Sequence, residues 1–332
     1  MGSISGKNGI IRFKELPIEK DDIELVSYVM KSKSLGMGHT VATLEEEFAD
    51  FVGVKYAVAL NSCTNSIFLA LYYCRHYSNK KSLVKIPSMM VPLVANEIIH
   101  TEYTPYFTDD TEWVGHAYYL GGVEIIDSAH EVKKRDPSDF DRHTVCYSFY
   151  PTKPICSADG GIICTNNKDE AEWYKKARYF GRDNGDSITK NSWEYGIEFP
   201  GWKMHMSDIQ AAIALNQLRK FPYTDAKMTK IREMYNSQFY LENTSNYLYR
   251  ISVESRDEFI RWMYQMGIEC GVHFYPLHMM EIFSKYGHDD MTEVETAYKS
   301  TVSLPFHIYL TDDNIEYIVE KVSEWEHIGV YV

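Results

Sequence analysis

Thr144-Val145-Cys146-Tyr147-Ser148-Phe149-Tyr150-Pro151-Thr152-Lys153 begins as an apolar, strand-like run and ends on a lysine, just ahead of the turn Ser157-Ala158-Asp159-Gly160-Gly161. Upstream, Val123-Glu124-Ile125-Ile126-Asp127 reads as a buried strand that stops on a carboxylate. Short apolar runs bounded by turn residues are what a strand covered on both faces requires. Outward from this pair the pattern alternates. Helical periodicity covers 21–31, with Ile23, Val26 and Met30 on one face, and then 43–51, where Thr43 is the expected N-cap, Glu46 lies three positions on and Gly53 follows. A strand over 55–60 leads through the polar turn Asn61-Ser62-Cys63-Thr64-Asn65 into an apolar helix over 66–74. Strands are expected at 83–87, 103–107 and 162–165, with helical stretches at 91–100 and 168–180. This alternation predicts an α/β fold with a mostly parallel central sheet.

Ser207 caps a strong helix that Pro222 is expected to interrupt. Beyond it, helices over 226–241, 257–266 and 311–324 and a strand over 247–253 predict a smaller α+β unit. The expected division is a large domain over 11–220 and a C-terminal domain over 221–332.

The 332 residues are 45% apolar and 24% charged, as in ordinary folded proteins. A formal charge of −13 argues against general nucleic-acid binding, which needs clustered Lys and Arg. Residues 1–9 lack an apolar core for a signal peptide, and no run is long enough to span a bilayer, so a cytoplasmic location without membrane partners is expected. Cys63, Cys74, Cys146, Cys156, Cys164 and Cys270 show neither CxxC pairing nor zinc-type spacing, so neither disulfides nor a metal site is expected.

A strand-terminal Asp, a later Ser-x-x-x-x-Lys and a Gly pair are the parts needed to hold pyridoxal phosphate. The lysine forms the Schiff base, and the carboxylate keeps the pyridine nitrogen protonated so that the ring acts as an electron sink. The polar turn at 61–65 presents free N–H groups and hydroxyls at a helix N-terminus, which suits a phosphate. No Gly-x-Gly-x-x-Gly and no Walker-type loop occurs in the chain.

In this order the elements resemble the DegT/DnrJ/EryC1/StrS family of pyridoxal-phosphate-dependent sugar aminotransferases, over about residues 11–322. The matching segments are Gly53-Val54-Lys55-Tyr56-Ala57-Val58-Ala59-Leu60-Asn61-Ser62-Cys63-Thr64, Ile126-Asp127-Ser128-Ala129-His130, Ser148 to Lys153, Asp159-Gly160-Gly161, Met206-Ser207-Asp208-Ile209-Gln210-Ala211-Ala212 and Ser303-Leu304-Pro305. The resemblance implies a fold-type I transferase, a homodimer with shared active sites, and a ping-pong transfer from glutamate or a similar donor to a nucleotide-linked keto-sugar. It implies pyridoxal 5'-phosphate on Lys153, Asp127 at the pyridinium nitrogen and His130 at the phenolic oxygen. Thr64 and Asn65 would hold the phosphate, with Ser148 adding a hydroxyl. Each has a structural alternative: a strand terminator, a half-buried histidine, a helix cap, a strand hydroxyl. Gly160-Gly161 reads as backbone geometry rather than a ligand contact.

Three departures matter. Where the family stacks an aromatic residue on the ring, this chain has Ile86-Pro87-Ser88-Met89-Met90-Val91-Pro92, leaving Val91 or Met90 to cover it or merely to pack the core. Gly201-Trp202-Lys203-Met204-His205-Met206 puts Lys203 where the family has an Asn that reaches the partner subunit's phosphate; a surface lysine is the alternative. Between Phe107 and Ile125 the chain is contracted to little more than 109–122, so one sheet face is expected to be less covered, or covered by the partner chain. Late in the chain His273 and His278, in Val272-His273-Phe274-Tyr275-Pro276-Leu277-His278, are candidate substrate contacts or structural histidines. A dehydratase-like relative would carry His in place of Lys153, and a non-catalytic sensor or scaffold would lack Lys153 or Asp127.

Overall fold

In the computed structural model residues 9–78, 81–182 and 195–325 are described. Two helices lead: α1 (Lys20–Ser32), closed by a capping box between Glu19 and Asp22, and α2 (His39–Val52). The start of α2 corrects the Thr43 cap. Gly38 is the N-cap, and Thr43 lies inside the helix with its hydroxyl on the His39 carbonyl. The carboxylate of Asp208 accepts from Gly38 N–H and Val41 N–H at 3.0 Å each, so the cap comes from a residue 170 positions away.

Next come β1 (Tyr56–Leu60), α3 (Cys63–Tyr73), a π-helical turn at Cys74–Ser78, β2 (Leu83–Pro87), α4 (Leu93–His100) and β3 (Thr104–Thr108). They are followed by β4 (Tyr118–Leu120), β5 (Ile125–Asp127), α5 (Pro137–Arg142), β6 (Thr144–Ser148), β7 (Gly161–Thr165) and α6 (Lys168–Ala177). Ser62 caps α3 by accepting from Asn65 N–H at 3.1 Å, so the expected polar turn is already the first turn of the helix.

The central sheet has the order β1-β7-β6-β5-β4, and an antiparallel bridge from Lys85 to Gly121 attaches the parallel pair β2-β3 beyond β4. In direction β1, β2, β3, β5 and β6 agree, while β4 and β7 oppose them. The mostly parallel sheet therefore carries two antiparallel strands. For β4 the reason is chain length. Only residues 121–124 separate it from β5, and a parallel link needs a crossover of a dozen or more residues. The turn depends on Gly122 at φ +98°, where a Cβ would meet the Leu83 carbonyl oxygen at 2.7 Å.

Around β1, β6 and β7 both sheet faces are covered. Val58, Leu60, Cys146 and Ile163 point into one apolar cluster with α3 and α4, while Ala57, Ala59, Val145, Tyr147 and Ile162 point into another with α2. That two-residue alternation between two buried faces is why the strands read as continuous apolar runs. The long helix α7 (Asp208–Phe239) follows, begun by a capping box between Ser207 and Gln210. It runs straight through Pro222, where a break was expected, so the helices expected on either side are one. Leu215, Leu218 and Phe221 anchor its first half in the second cluster, and Met228, Ile231 and Tyr235 anchor the rest in a third; this packing outweighs the hydrogen bond that a proline forfeits. The third cluster also gathers β8 (Tyr249–Ser252), α8 (Arg256–Gln265), β9 (Thr301–Leu304) and α10 (Asp312–Trp325), with α9 (Thr292–Ser300) leading into β9. No described helix is long and apolar enough to cross a membrane.

Candidate active site

Adjacent parallel strands β5 and β6, in register at Asp127 and Cys146, end at the same edge of the sheet. Ligands in α/β folds bind at such carboxyl ends. Here a cavity of about 470 Å³ opens, walled by Asp127, Ser148, Lys153, the first turn of α3 and the later residues Tyr247, His273 and Phe274.

Asp127 is buried, with one carboxylate oxygen accepting Ala129 N–H at 2.9 Å and the other accepting the Tyr118 hydroxyl at 2.9 Å. Burial pushes its carboxyl upward, while both hydrogen bonds and the nearby Lys153 oppose that rise. A cation placed against it inside the cavity would complete the compensation that a buried carboxylate needs.

His130 is buried too, its ring stacked on Tyr247 with centroids 4.3 Å apart and on Trp113 at 5.2 Å. Gly115 N–H donates to Nδ1 at 3.2 Å, which leaves the ring proton on Nε2. Burial, then the charge of Lys153, hold this imidazole well below the usual histidine range, so it is neutral and donates through Nε2.

Lys153 sits on the loop between β6 and β7, whose ends are tied by Phe149 N–H to the Gly160 carbonyl and Ser157 N–H to the Phe149 carbonyl. Its Nζ donates to the Tyr247 hydroxyl at 3.2 Å and lies 4.7 Å from the centre of that ring. A second ammonium, Lys14, stands 4.9 Å from the same ring and donates to the carbonyls of Tyr247 and Phe306 at 2.6 and 2.9 Å. Burial, and then Lys153, lower Lys14 to about 7.

Ser62, Cys63 and Thr64 bring the N-terminus of α3 to the cavity, and Ser148 brings a hydroxyl from the end of β6. Gly161 permits this approach, since a Cβ there would meet Cys63 Cα and N at 2.5 Å. Its reading as backbone geometry fits that contact.

Of the residues singled out from sequence, Lys153, Asp127, His130, Thr64, Ser148, Val91 and His273 line this one cavity, as does Met90. Asn65, Lys203 and His278 do not. Asn65 turns its amide to Asn61 Oδ1 at 2.7 Å. Lys203 is exposed, in a β-bridge with Tyr179. His278 lies under β2, with Nδ1 2.7 Å from the Ser88 hydroxyl. His273 bonds the Ser303 hydroxyl at 2.9 Å, and burial with the charges of Lys14 and Lys153 lowers it to about 4.

Trp113, His116, Tyr247 and Phe274 complete the wall without having been read from sequence, and Tyr118 and Lys14 stand behind it. The sequence signals are the aromatics and histidine of the contracted segment, Tyr247 and Phe274 in later apolar runs, and a lysine near Ile10-Ile11. That segment leaves an open depression of about 520 Å³ over β2 and β4, where the sheet face was expected to be less covered.

The profile described as the DegT/DnrJ/EryC1/StrS aminotransferase family matches residues 17–113 and 127–323. The chain is 27% identical over 385 residues to a spore coat polysaccharide biosynthesis protein, SpsC, of Bacillus subtilis, covering 97% of this chain and 98% of that one. It is 23% identical over 367 residues to UDP-4-amino-4,6-dideoxy-N-acetyl-beta-L-altrosamine transaminase of Helicobacter pylori, covering 93% and 96%. Among solved structures, PseC of Helicobacter pylori, an aminotransferase involved in the biosynthesis of pseudoaminic acid, superposes with a TM-score of 0.81 at 20% identity, over 95% of this chain and 98% of that one. The aminotransferase TlmJ of Streptoalloteichus hindustanus gives 0.81 at 22% identity, with the same coverage. The stretch between the two matched intervals, 114–126, surrounds β4. With both flanks of the site inside those intervals, this chain belongs to the DegT/DnrJ/EryC1/StrS aminotransferase family.

Proposed function

We propose that the chain binds pyridoxal 5'-phosphate at Lys153 and moves an amino group from glutamate to the keto group of a nucleotide-linked deoxy sugar. The observation that carries this reading is the convergence of Lys153 Nζ, the Asp127 carboxylate, the neutral His130 ring and the α3 N-terminus on one cavity of about 470 Å³. The donor set fits the group. A carboxylate buried without a full complement of positive charge suits a protonated ring nitrogen, and the helix N-terminus made accessible by Gly161 suits a phosphate. When bound, the cofactor supplies an electron sink for the carbon that gains or loses a proton.

Lys153 Nζ would attach the cofactor and carry that proton, and the Tyr247 hydroxyl orients the amine. Asp127 would keep the ring nitrogen protonated, while His130 Nε2–H would donate toward the phenolic oxygen. Thr64, Ser148 and the amides of α3, with Asn65 in the same turn, would take the phosphate; Val91 lines the wall where a ring face would rest. The exposed Lys203 would serve a second subunit in a homodimer, and His273, which lines the cavity, would contact substrate. Relatives named as UDP-sugar transaminases support the acceptor class. The dehydratase-like and scaffold readings lose ground because Lys153 and Asp127 share the cavity. Residues 11–220 would form a cofactor unit and 221–332 a C-terminal unit; the change of apolar cluster along α7 supports this division, while Tyr247, Leu248 and Leu277 pack back into the first cluster.

The test is a two-stage assay. Protein supplied with the cofactor is mixed with glutamate and scored for 2-oxoglutarate, then given UDP-linked keto-deoxy sugars and scored for amino-sugar. Formation of 2-oxoglutarate without any acceptor, at one equivalent per site, is the expected first result. No 2-oxoglutarate from glutamate, and no cognate 2-oxo acid from any other amino acid, would overturn the reading.

A further inference from the structure

Tyr118 belongs to β4, inside the stretch 114–126 that the family profile leaves unmatched. It is paired in register with Asp127, buried at 5% exposure, and donates its hydroxyl to Asp127 Oδ2 at 2.9 Å. From this geometry we propose that Tyr118 is a positioning residue for Asp127, supplied by the contracted segment of this chain, that holds the carboxylate ionised and aimed at the cofactor's ring nitrogen. The inference rests on the preceding assignment of Asp127 to that nitrogen.

Three observations converge on it. First, the antiparallel course of β4 is what puts Tyr118 opposite Asp127; a crossover followed by a parallel strand would set a different register. Second, the two carboxylate oxygens are divided between Ala129 N–H and the Tyr118 hydroxyl, so the carboxylate plane is fixed from both sides while each oxygen keeps a free acceptor site. Third, the same segment supports the other cofactor-facing side chain. Gly115 N–H sets the His130 tautomer and Trp113 stacks on its ring. Gly115 holds φ +99° with a Cβ position only 2.5 Å from Ser245 Oγ, and that hydroxyl donates to the Gly115 carbonyl at 3.0 Å. Burial pushes the Tyr118 phenol well upward, with Asp127 adding to the effect, so the phenol remains a proton donor to the carboxylate.

The experiment compares wild type, Tyr118→Phe and Asp127→Ala as full-length proteins. Equilibrium binding is measured for pyridoxal phosphate and for the analogue in which carbon replaces the ring nitrogen, with thermal unfolding confirming that each variant is folded. Phenylalanine keeps the volume of Tyr118 and removes only the donor, leaving a buried charged group short of one hydrogen bond. Tyr118→Phe is expected to weaken pyridoxal phosphate at least about tenfold. The same variant should leave the analogue unchanged, a selectivity that a mere packing role does not give. Equal weakening of both, or of neither, overturns the inference. Asp127→Ala separates the two claims. If it is selective for the natural cofactor and Tyr118→Phe is not, the positioning role alone fails. If Asp127→Ala shows no selectivity, the placement of the ring nitrogen fails first and this inference with it.

Discussion

The strand ends at Asp127 and Ser148 and the segment 109–122 wall the same cavity by different means. The first carries its chemistry at the edge of a regular sheet, where register alone fixes where a side chain emerges. The second has three residues of strand and a glycine turn, yet it delivers Trp113, His116 and Tyr118 to the same place. The family profile covers the strand ends from Asp127 onward and leaves most of the segment out. On the proposed reading, shared sheet geometry would hold the reacting groups, and the segment 109–122 would orient them.

That contrast breaks most readily at Lys153. Lys153→Ala is expected to slow the glutamate half-reaction by about 10⁴-fold or more with little change in stability, measured in single-turnover absorbance. A small effect would mean that the sheet edge does not carry the chemistry. Trp113→Ala makes the opposite demand on the segment: removing this buried indole should cost about 3 kcal/mol in urea unfolding while Lys153 still attaches the cofactor. Gly161→Ala places a methyl group against Cys63 backbone atoms and is expected to cost about 1–3 kcal/mol and to weaken cofactor binding, since α3 must move away from β7.

The last expected effect concerns the positive charge behind the cavity. Burial, and then Lys14, lower His307 to about 4, below the unfolded value of about 6.5. The unfolded chain therefore binds more protons between those values, and stability falls as pH drops from about 6.5 to 4. Replacing His307 with Gln should flatten that limb by about 2 kcal/mol in urea titrations at pH 7 and 4.5. An unchanged slope would mean that burial does not hold His307 below its unfolded value.

Much of the site was legible because its residues lie at, or just beyond, the ends of elements that announce themselves. Asp127 closes an apolar run, Thr64 opens a helix, and Lys153 follows Ser148 by five positions. The unread residues arrive through long-range contacts. Lys14 reaches the Tyr247 carbonyl across 233 positions, and no local pattern predicts that meeting. The start of α2 was misplaced for the same reason, because its cap is Asp208. The direction of β4 followed from a link too short for a crossover, a constraint that residues 121–124 carry plainly once the two strands are known. The passage of α7 through Pro222 shows packing on two clusters overriding a local breaker.

The most direct test of the account is where the cofactor attaches. Protein loaded with pyridoxal 5'-phosphate is reduced with borohydride, digested, and its peptides mapped by mass spectrometry. The account predicts a single pyridoxyl group on Lys153. Attachment at Lys14, the second lysine beside the Tyr247 ring, or no attachment at all, would contradict it.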